Sequence, residues 1–425
     1  MQSRHSVVAL LVLLLGTCAL GAKLEQVHIA FGDTPSAMTV MAASDAMPAA
    51  ATVLYGTSAT ALNMNQPASD VRFFTAGNEL GLQYHLVFKL QKLVPDTLYF
   101  YQVRTDTNAT AVFHFVAQND NLDHPANFLV YGDFGLPKGG FTLPRLVAET
   151  KTGKFDAAIH VGDFAYDMFD HNGTRGDNFM NQVQQYAAYL PLMTAVGNHE
   201  TAFNFSHYRN RFAMPGNGAA SDNMYFSWDM GRAHFIAYSS EVFFTNGPVQ
   251  DQYNFLKQDL IAANANRAER PWIIAYGHQP FYCSNLDHDD CTTSRSVVRA
   301  GLEDLFFEYG VDLVIEAHEH SYERLWPVYN ETVTQHDYIN PRAPVHIIAG
   351  VAGCNEGETT CINPILGSKG PWSAFRTAFL GAYGYGRLEI TNSTHLHWEQ
   401  VLDITRTDLD QMVIVQENHG PYKPL

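Results

Sequence analysis

Seven side chains able to bind a metal stand in five short patches of this 425-residue chain. They are Asp133 in Gly132-Asp133-Phe134-Gly135, Asp163 and Tyr166 in Gly162-Asp163-Phe164-Ala165-Tyr166, Asn198 in Gly197-Asn198-His199-Glu200, His278 after Gly277, and His318 and His320 flanking Glu319. Seven oxygen and nitrogen donors are enough for two ions. Tyr166 narrows the choice of ion, because a phenol with an ordinary pKa of about 10 ligates well only as phenolate and so asks for a strongly acidic, hard cation. Fe(III) meets that demand better than Zn, Mn or Mg. Taken singly, an Asp after a Gly is more often a turn former, and a loop histidine more often donates to a carbonyl. It is their joint occurrence that points to a dinuclear centre, with Glu319 directed away from the two imidazoles beside it.

Such patches need rigid elements to aim them. After a polar boundary stretch at Asn119 to Pro125 the sequence alternates buried strand, loop and amphipathic helix, which predicts an α/β domain. Strands are expected at Phe128 to Tyr131, Ala157 to Val161, Leu192 to Val196, His234 to Tyr238, Trp272 to Tyr276, Leu313 to Glu316 and Val345 to Ile348. Helices are expected at Thr142 to Glu149, Asn178 to Tyr189, Asp251 to Asn264 and Ser294 to Glu308. The candidate ligands then lie just past the carboxyl ends of five strands, where open α/β sheets carry their sites. Before this domain, from about Glu25 to Val116, short alternating strands such as Thr52 to Gly56 and Leu98 to Val103 predict a small antiparallel β-sandwich of the fibronectin type III kind.

The formal charge of −17 excludes a phosphate-backbone binder, since clustered Lys and Arg are missing. No nucleic acid and no membrane partner is expected. Residues 1–22 read as a secretory signal peptide, with Arg4 and His5 ahead of an apolar run from Val7 to Leu15 and small residues through Ala22. Loss of that segment leaves Cys283, Cys291, Cys354 and Cys361. Close spacing favours Cys283 with Cys291 and Cys354 with Cys361, and the other two connectivities stay open. Sequons at Asn108, Asn172, Asn204, Asn330 and Asn392 fit a glycoprotein that is secreted or lysosomal. The expected layout is signal peptide 1–22, sandwich 23–118, catalytic domain 125–405 with C-terminal strands, and a tail 406–425.

The ordered motifs G-D-x-G, G-D-x-x-Y, G-N-H-E, a histidine after a buried strand, and H-x-H followed by Ser321-Tyr322-Glu323-Arg324 resemble those of the purple acid phosphatases, a branch of the metallophosphoesterases. The likeness is to their long, two-domain form and extends over the whole mature chain. It implies a metallophosphoesterase sandwich of two mixed sheets flanked by helices after the all-β domain. It also implies Asp133, Asp163, Tyr166 and His320 on Fe(III), and Asp163, Asn198, His278 and His318 on a divalent ion, with Asp163 shared. Zn is the first choice for the divalent ion, with Mn or Fe(II) as alternatives. Other metallophosphoesterases carry a His two residues after the first Asp. Here that position is Gly135, and Tyr166 supplies the replacement donor. Two departures from the family pattern are Ala317, where Gly is usual, and Ala275, where Val is usual.

The activity implied is that of an acid phosphatase cleaving phosphate monoesters, with metal-bound hydroxide as the nucleophile; two cations about 4 Å apart would clamp the phosphate and stabilise the leaving oxygen. The resemblance places His199 beside the phosphate as a proton donor and offers His288 as a second acid. Glu323 and Arg324 are expected to pair with each other. A dinuclear Zn or Mn phosphodiesterase is the nearest rival, and Gly135 with Tyr166 speaks against it. A non-catalytic adhesive glycoprotein is the other rival, against which the seven intact ligands argue.

Overall fold

The computed structural model describes residues 23–216, 222–285, 290–357, 370–377 and 381–424. His288 and Cys361 lie outside the described residues, as do the signal segment 1–22 and the Cys354–Cys361 pairing.

The N-terminal part is all-β. One four-stranded antiparallel sheet runs in the order Leu24–Phe31, Met38–Ser44, Tyr84–Leu90, Asp70–Phe73, and the other in the order Met64–Pro67, Ala51–Gly56, Leu98–Thr105, Phe113–Val116. Alternation along Leu98–Thr105 buries Tyr99, Tyr101 and Val103 against Phe113 and Phe115 of its neighbour, as a half-buried strand requires.

The remainder holds two mixed sheets. The first runs Leu192–Ala195, Ala157–Val161, Ala126–Tyr131, Gly384–Ile390, His395–Leu402, Thr407–Val415; its first three strands are parallel and the others join antiparallel. The second runs Phe226–Met230, Ala233–Ala237, Trp272–Tyr276, Leu313–Glu316, Val345–Ala349, Tyr322–Leu325, Ser373–Arg376, with four parallel strands at its centre. Apolar faces of the two sheets meet through Phe128, Trp228 and Phe235, with ring centroids 4.8 Å apart between Phe128 and Phe235. The parallel strands are buried on both faces, which is why they read as unbroken apolar runs.

The seven expected strands of this domain are present, and the expected helices appear as Thr142–Thr150, Thr174–Ala187, Val249–Ala265 and Val297–Glu308. The second begins four residues before the expected Asn178. Its first turn buries Gly176 and Asp177, and the burial of Asp177 comes from an ion pair with Arg211 (2.9 Å), which leaves no hydrophobic period to read. A helix at Ala202–Arg211 was not expected, because its mean composition is polar and its buried side include His207 and Arg211. The tail expected at 406–425 requires correction: Thr407–Val415 is the outer strand of the first mixed sheet. Its polar Thr407-Asp408-Leu409-Asp410-Gln411 start suits a sheet edge and hides its strand character.

Candidate dinuclear metal centre

Five of the seven candidate ligands lie two or three residues past a strand end, Asp133 after Tyr131, Asp163 after Val161, Asn198 after Ala195, His278 after Tyr276, and His318 after Glu316, and Tyr166 and His320 follow on the second and fifth of these loops. The loops they sit on are joined by backbone bonds. Asp133 N–H donates to Gly162 O (3.1 Å), Phe134 N–H to Asp163 O (3.1 Å), Gly132 N–H to Ala349 O (2.9 Å) and Ala317 N–H to His278 O (2.8 Å). Asp133, Asp163, Tyr166 and His318 all adopt left-handed backbone, with φ of 59°, 57°, 47° and 66°. That conformation costs a non-glycine residue about 1 kcal/mol or more, so the inter-loop bonds must hold it.

Glycine clears the space for this crossing. A Cβ on Gly162 would fall 2.3 Å from His278 Nδ1, and one on Gly197 2.2 Å from Asp163 Oδ1. The departure at Ala317 is accommodated in the same way: its Cβ faces Gly132, where a second methyl would approach to 2.4 Å.

The seven candidate ligands converge as two groups that share Asp163. Asp163, His278 and His318 bring ligand atoms within 4.8 Å of one another, and so do Asp133, Asp163 and His320. Around the first group, Asn198 Oδ1 lies 3.0 Å from both His278 Nε2 and His318 Nδ1. Around the second, the Tyr166 hydroxyl is 3.1 Å from Asp133 Oδ1 and 3.1 Å from His320 Nε2. Asp133, Asp163, Tyr166 and His278 are buried, whereas Asn198, His199, His318 and His320 are partly open to solvent, so the cluster has a closed floor and an accessible mouth.

Hydrogen bonds set the imidazole orientations. His278 Nδ1 donates to Val161 O (2.9 Å) and His320 Nδ1 to Gly357 O (2.7 Å), and each Nε2 is thereby aimed at the carboxylates. Burial disfavours charge on these rings. The nearby Asp163 and Asp133 outweigh it and raise His278 to about 10 and His320 to about 12. Burial likewise opposes ionisation of Asp163, but His278, His199 and His318 hold it well below the usual carboxylate range. Among the described residues, Asp163 Oδ2 accepts no hydrogen bond although it is buried and 3.2 Å from His278 Nε2. A buried carboxylate oxygen without a donor is what a shared cation ligand looks like when only the protein is drawn. Burial first, then Asp133 and Asp163, push the Tyr166 phenol well above its ordinary value, so phenolate forms there only against a strong cation. The donor set therefore fits two cations, the harder one beside Tyr166.

Two residues that the motifs displayed without a role turn out to organise the site. Glu200 is buried and accepts from three amides, Asp163 N (3.0 Å), Phe164 N (2.9 Å) and Gly197 N (3.0 Å), which ties the Asp163 loop to the Asn198 loop. Burial and the Asp163 charge raise its pKa to about 8, against the pull of those donors. Asp167 accepts from His199 Nδ1 at 2.6 Å, which leaves His199 Nε2 facing the mouth, 3.9 Å from Asp163 Oδ2 and 3.4 Å from Glu356 Oε1. Burial would lower His199, yet the bond to Asp167 and the Asp163 charge raise it to about 9. Asp167 follows Tyr166 directly, and an acid next to a ligand was the one signal available for it.

Glu319 points away from the site as expected, toward Asn285 and the Cys283–Cys291 disulfide, whose formation matches the favoured pairing. The expected Glu323–Arg324 pair does not form. Glu323 accepts from Ser284 (2.6 Å) and Arg324 holds Asp410 at 2.7 and 2.9 Å, because neighbouring residues of the strand Tyr322–Leu325 face opposite sides.

Three family profiles match the chain in succession: the purple acid phosphatase N-terminal domain over residues 24–117, a calcineurin-like phosphoesterase over 126–322, and an iron/zinc purple acid phosphatase-like C-terminal segment over 343–411. An acid phosphatase type 7 from Danio rerio is 42% identical over 425 aligned residues, which cover 95% of this chain and 93% of the relative. A protein from Arabidopsis thaliana described as Fe(3+)-Zn(2+) purple acid phosphatase 12 is 30% identical and covers 71% of this chain and 65% of its own length. Among solved structures, the purple acid phosphatase PPD1 from yellow lupin seeds superposes with a TM-score of 0.81 at 21% identity, over 93% of this chain and 75% of that one, which bears out the two-part fold. With the N-terminal sandwich, the paired mixed sheets and the extent of these matches all in agreement, the chain belongs to the purple acid phosphatase family.

Proposed function

We propose that this protein hydrolyses phosphate monoesters at acid pH through a dinuclear Fe(III)–M(II) centre. In this reading Asp133, Asp163, Tyr166 and His320 hold the iron, and Asp163, Asn198, His278 and His318 hold the divalent ion, for which Zn is the first choice. The observation that carries it is the pair of convergent donor groups sharing Asp163, whose buried Oδ2 accepts no hydrogen bond among the described residues. When bound, the two cations supply Lewis acidity, neutralising phosphate charge and acidifying water below neutral pH.

The protein's own residues do the rest. His199, held by Asp167 through Nδ1, presents Nε2–H at the mouth, where it can hydrogen-bond a phosphate oxygen or give its proton to the departing alkoxide. His278 and His320 are fixed by Val161 O and Gly357 O, so no ring rotation is needed when a ligand arrives. Glu200 keeps the Asp163 and Asn198 loops in register. His288 remains the candidate for a second acid on the strength of its place in the sequence. The expected secreted or lysosomal location is supported by the exposure of all five sequon asparagines, and no described helix is long and apolar enough to cross a membrane.

The test is turnover of a chromogenic monoester across pH 4–8, with metal analysis and a visible spectrum of the same protein. Two metals per chain, one of them iron, and a colour that Tyr166→Phe bleaches are expected. A colourless protein that keeps full activity, or a spectrum indifferent to Tyr166→Phe, would overturn the ligand assignment.

A further inference from the structure

The contact between Asp167 and His199 joins two segments, 166–177 and 198–211, which also meet through the Phe169–Phe203 ring contact (5.8 Å) and, at their far ends, through Arg211 with Asp177 and Gly173. A loop of the N-terminal sandwich touches both. Leu80 and Gly81 N–H donate to Asn172 O at 2.9 and 3.1 Å, and Leu82 N–H donates to Asp177 Oδ2 at 2.7 Å. On the other segment, His207 Nε2 donates to Gly77 O (2.9 Å) and Ser206 Oγ to Ala76 O (3.1 Å).

Arg211 sits at the centre, fully buried, at the end of the helix that follows His199. Its Nη1 donates to Asp177 Oδ1 (2.9 Å) and to Gln26 Oε1 (2.9 Å), and its Nη2 to Asn78 Oδ1 (3.0 Å) and Gly173 O (3.4 Å). Asn78 is equally buried and rests on Gly173, whose φ is 93° and where a Cβ would come within 2.0 Å of Asn78 Oδ1. From there the path to the site is short. Gly176 N–H donates to Met168 O (3.1 Å), and Arg175 donates to Tyr166 O and pairs with Asp170 at 2.9 Å.

We propose that the loop 76–82 of the N-terminal sandwich, with Arg211 as its buried anchor, is a positioning device for the active site: it fixes the segment carrying Tyr166 and Asp167 against the segment carrying His199. Asn78 and Arg211 are positioning residues, since neither touches substrate. The inference rests on the assignment of His199 to the phosphate. A buried guanidinium with four oxygen acceptors drawn from both domains is a costly feature for mere domain adhesion, which apolar packing would supply without desolvating a charge. Its value lies in specifying one geometry.

The experiment compares Asn78→Ala with Tyr101→Phe. The latter removes a different interdomain bond, Tyr101 Oη–H to Ala188 O (2.8 Å), away from the loop. Asn78→Ala is expected to lower kcat about ten- to a hundredfold at unchanged metal content, the range for a misplacement of about 1 Å, and to speed amide exchange in 166–173. Tyr101→Phe is expected to lower Tm and leave kcat in place. Equal kcat and equal protection of 166–173 in the two variants would overturn the proposal. Amide exchange on the wild-type protein supplies a test that needs no variant to fold: Leu80 and Gly81 should exchange in step with Gly173 and Gly176, and exchange about a hundredfold faster at 80–81 alone would also overturn it. Absence of monoester turnover in the wild type would remove the functional reading, whereas intact turnover with uncoupled exchange removes this inference alone.

Discussion

A Cβ built on Gly135 lies 2.7 Å from Cδ2 of Tyr166, so the ring of the phenol occupies the space that any side chain at position 135 would enter. The two positions are therefore alternatives in space. A chain with histidine at 135 has no room for this phenol, and a chain with the phenol needs glycine there. Gly135→Ala should displace Tyr166 from Asp133 and His320, shift or weaken the visible band, and cut activity at least about tenfold. Spectra and iron content of the purified variant check this; an unchanged band would show that the ring yields without leaving its partners.

The carboxylate of Asp167 is the largest of the influences that lift His199. In Asp167→Asn that lift is lost while burial still disfavours the charged ring, so His199 gives up its proton at lower pH. The alkaline limb of the kcat/KM profile should move toward acid pH, and kcat should fall about tenfold or more as the ring loses its fixed orientation. A profile superimposable on that of the wild type would remove Asp167 from this role.

Glu200 satisfies three amides on two loops, and Glu200→Gln sets an NH2 group against at least one of those N–H donors. The expected loss is about 1–3 kcal/mol of stability, with weaker retention of both metals because the Asp163 and Asn198 loops separate. Chemical unfolding together with metal titration measures the two effects; retention of both metals at wild-type affinity would contradict the tie between the loops.

Away from the site, His234 lies between Asp229 (2.7 Å) and Asp259 (2.8 Å), which overcome its burial and raise it to about 9. Because the folded-state pKa exceeds the unfolded value of about 6.5, protonated His234 stabilises the fold fully below pH 6.5 and loses that contribution as pH rises through 9. The contribution is on the order of 3 kcal/mol. The fall in stability between pH 6.5 and 9 should flatten in His234→Gln, as read from urea midpoints across that range; an equal fall in both proteins would assign it elsewhere.

Much of the site was legible because its ligands come from strand ends and carry their own chemistry. Asp133, Asp163, Asn198, His278 and His318 follow apolar runs that announce buried parallel strands, and Gly marks the sharp turn before Asp133, Asp163, Asn198 and His278. Tyr166 stood out by its phenol and by the family resemblance, which marks Gly135 as the place where a histidine donor is missing. Asp167 and Glu200 were in view within the same motifs and yet silent, because a carboxylate that accepts from an imidazole or from amides looks no different in sequence from one in solvent.

The sequence by itself determined which atoms could bind two metals, in what order, and on what kind of sheet, since donor chemistry and hydrophobic period are local properties. Only the tertiary structure decided that Asp163 stands between both groups, that Gly135 makes way for Tyr166, that Arg324 turns to Asp410 rather than Glu323, and that the sandwich reaches through Asn78 and Arg211 to the segments beside the site. Such relations join distant parts of the chain, 133 residues apart for Asn78 and Arg211 and 185 for the bond between Asp133 and the His318 amide, and they arise from where the chain crosses itself, which no window of sequence contains.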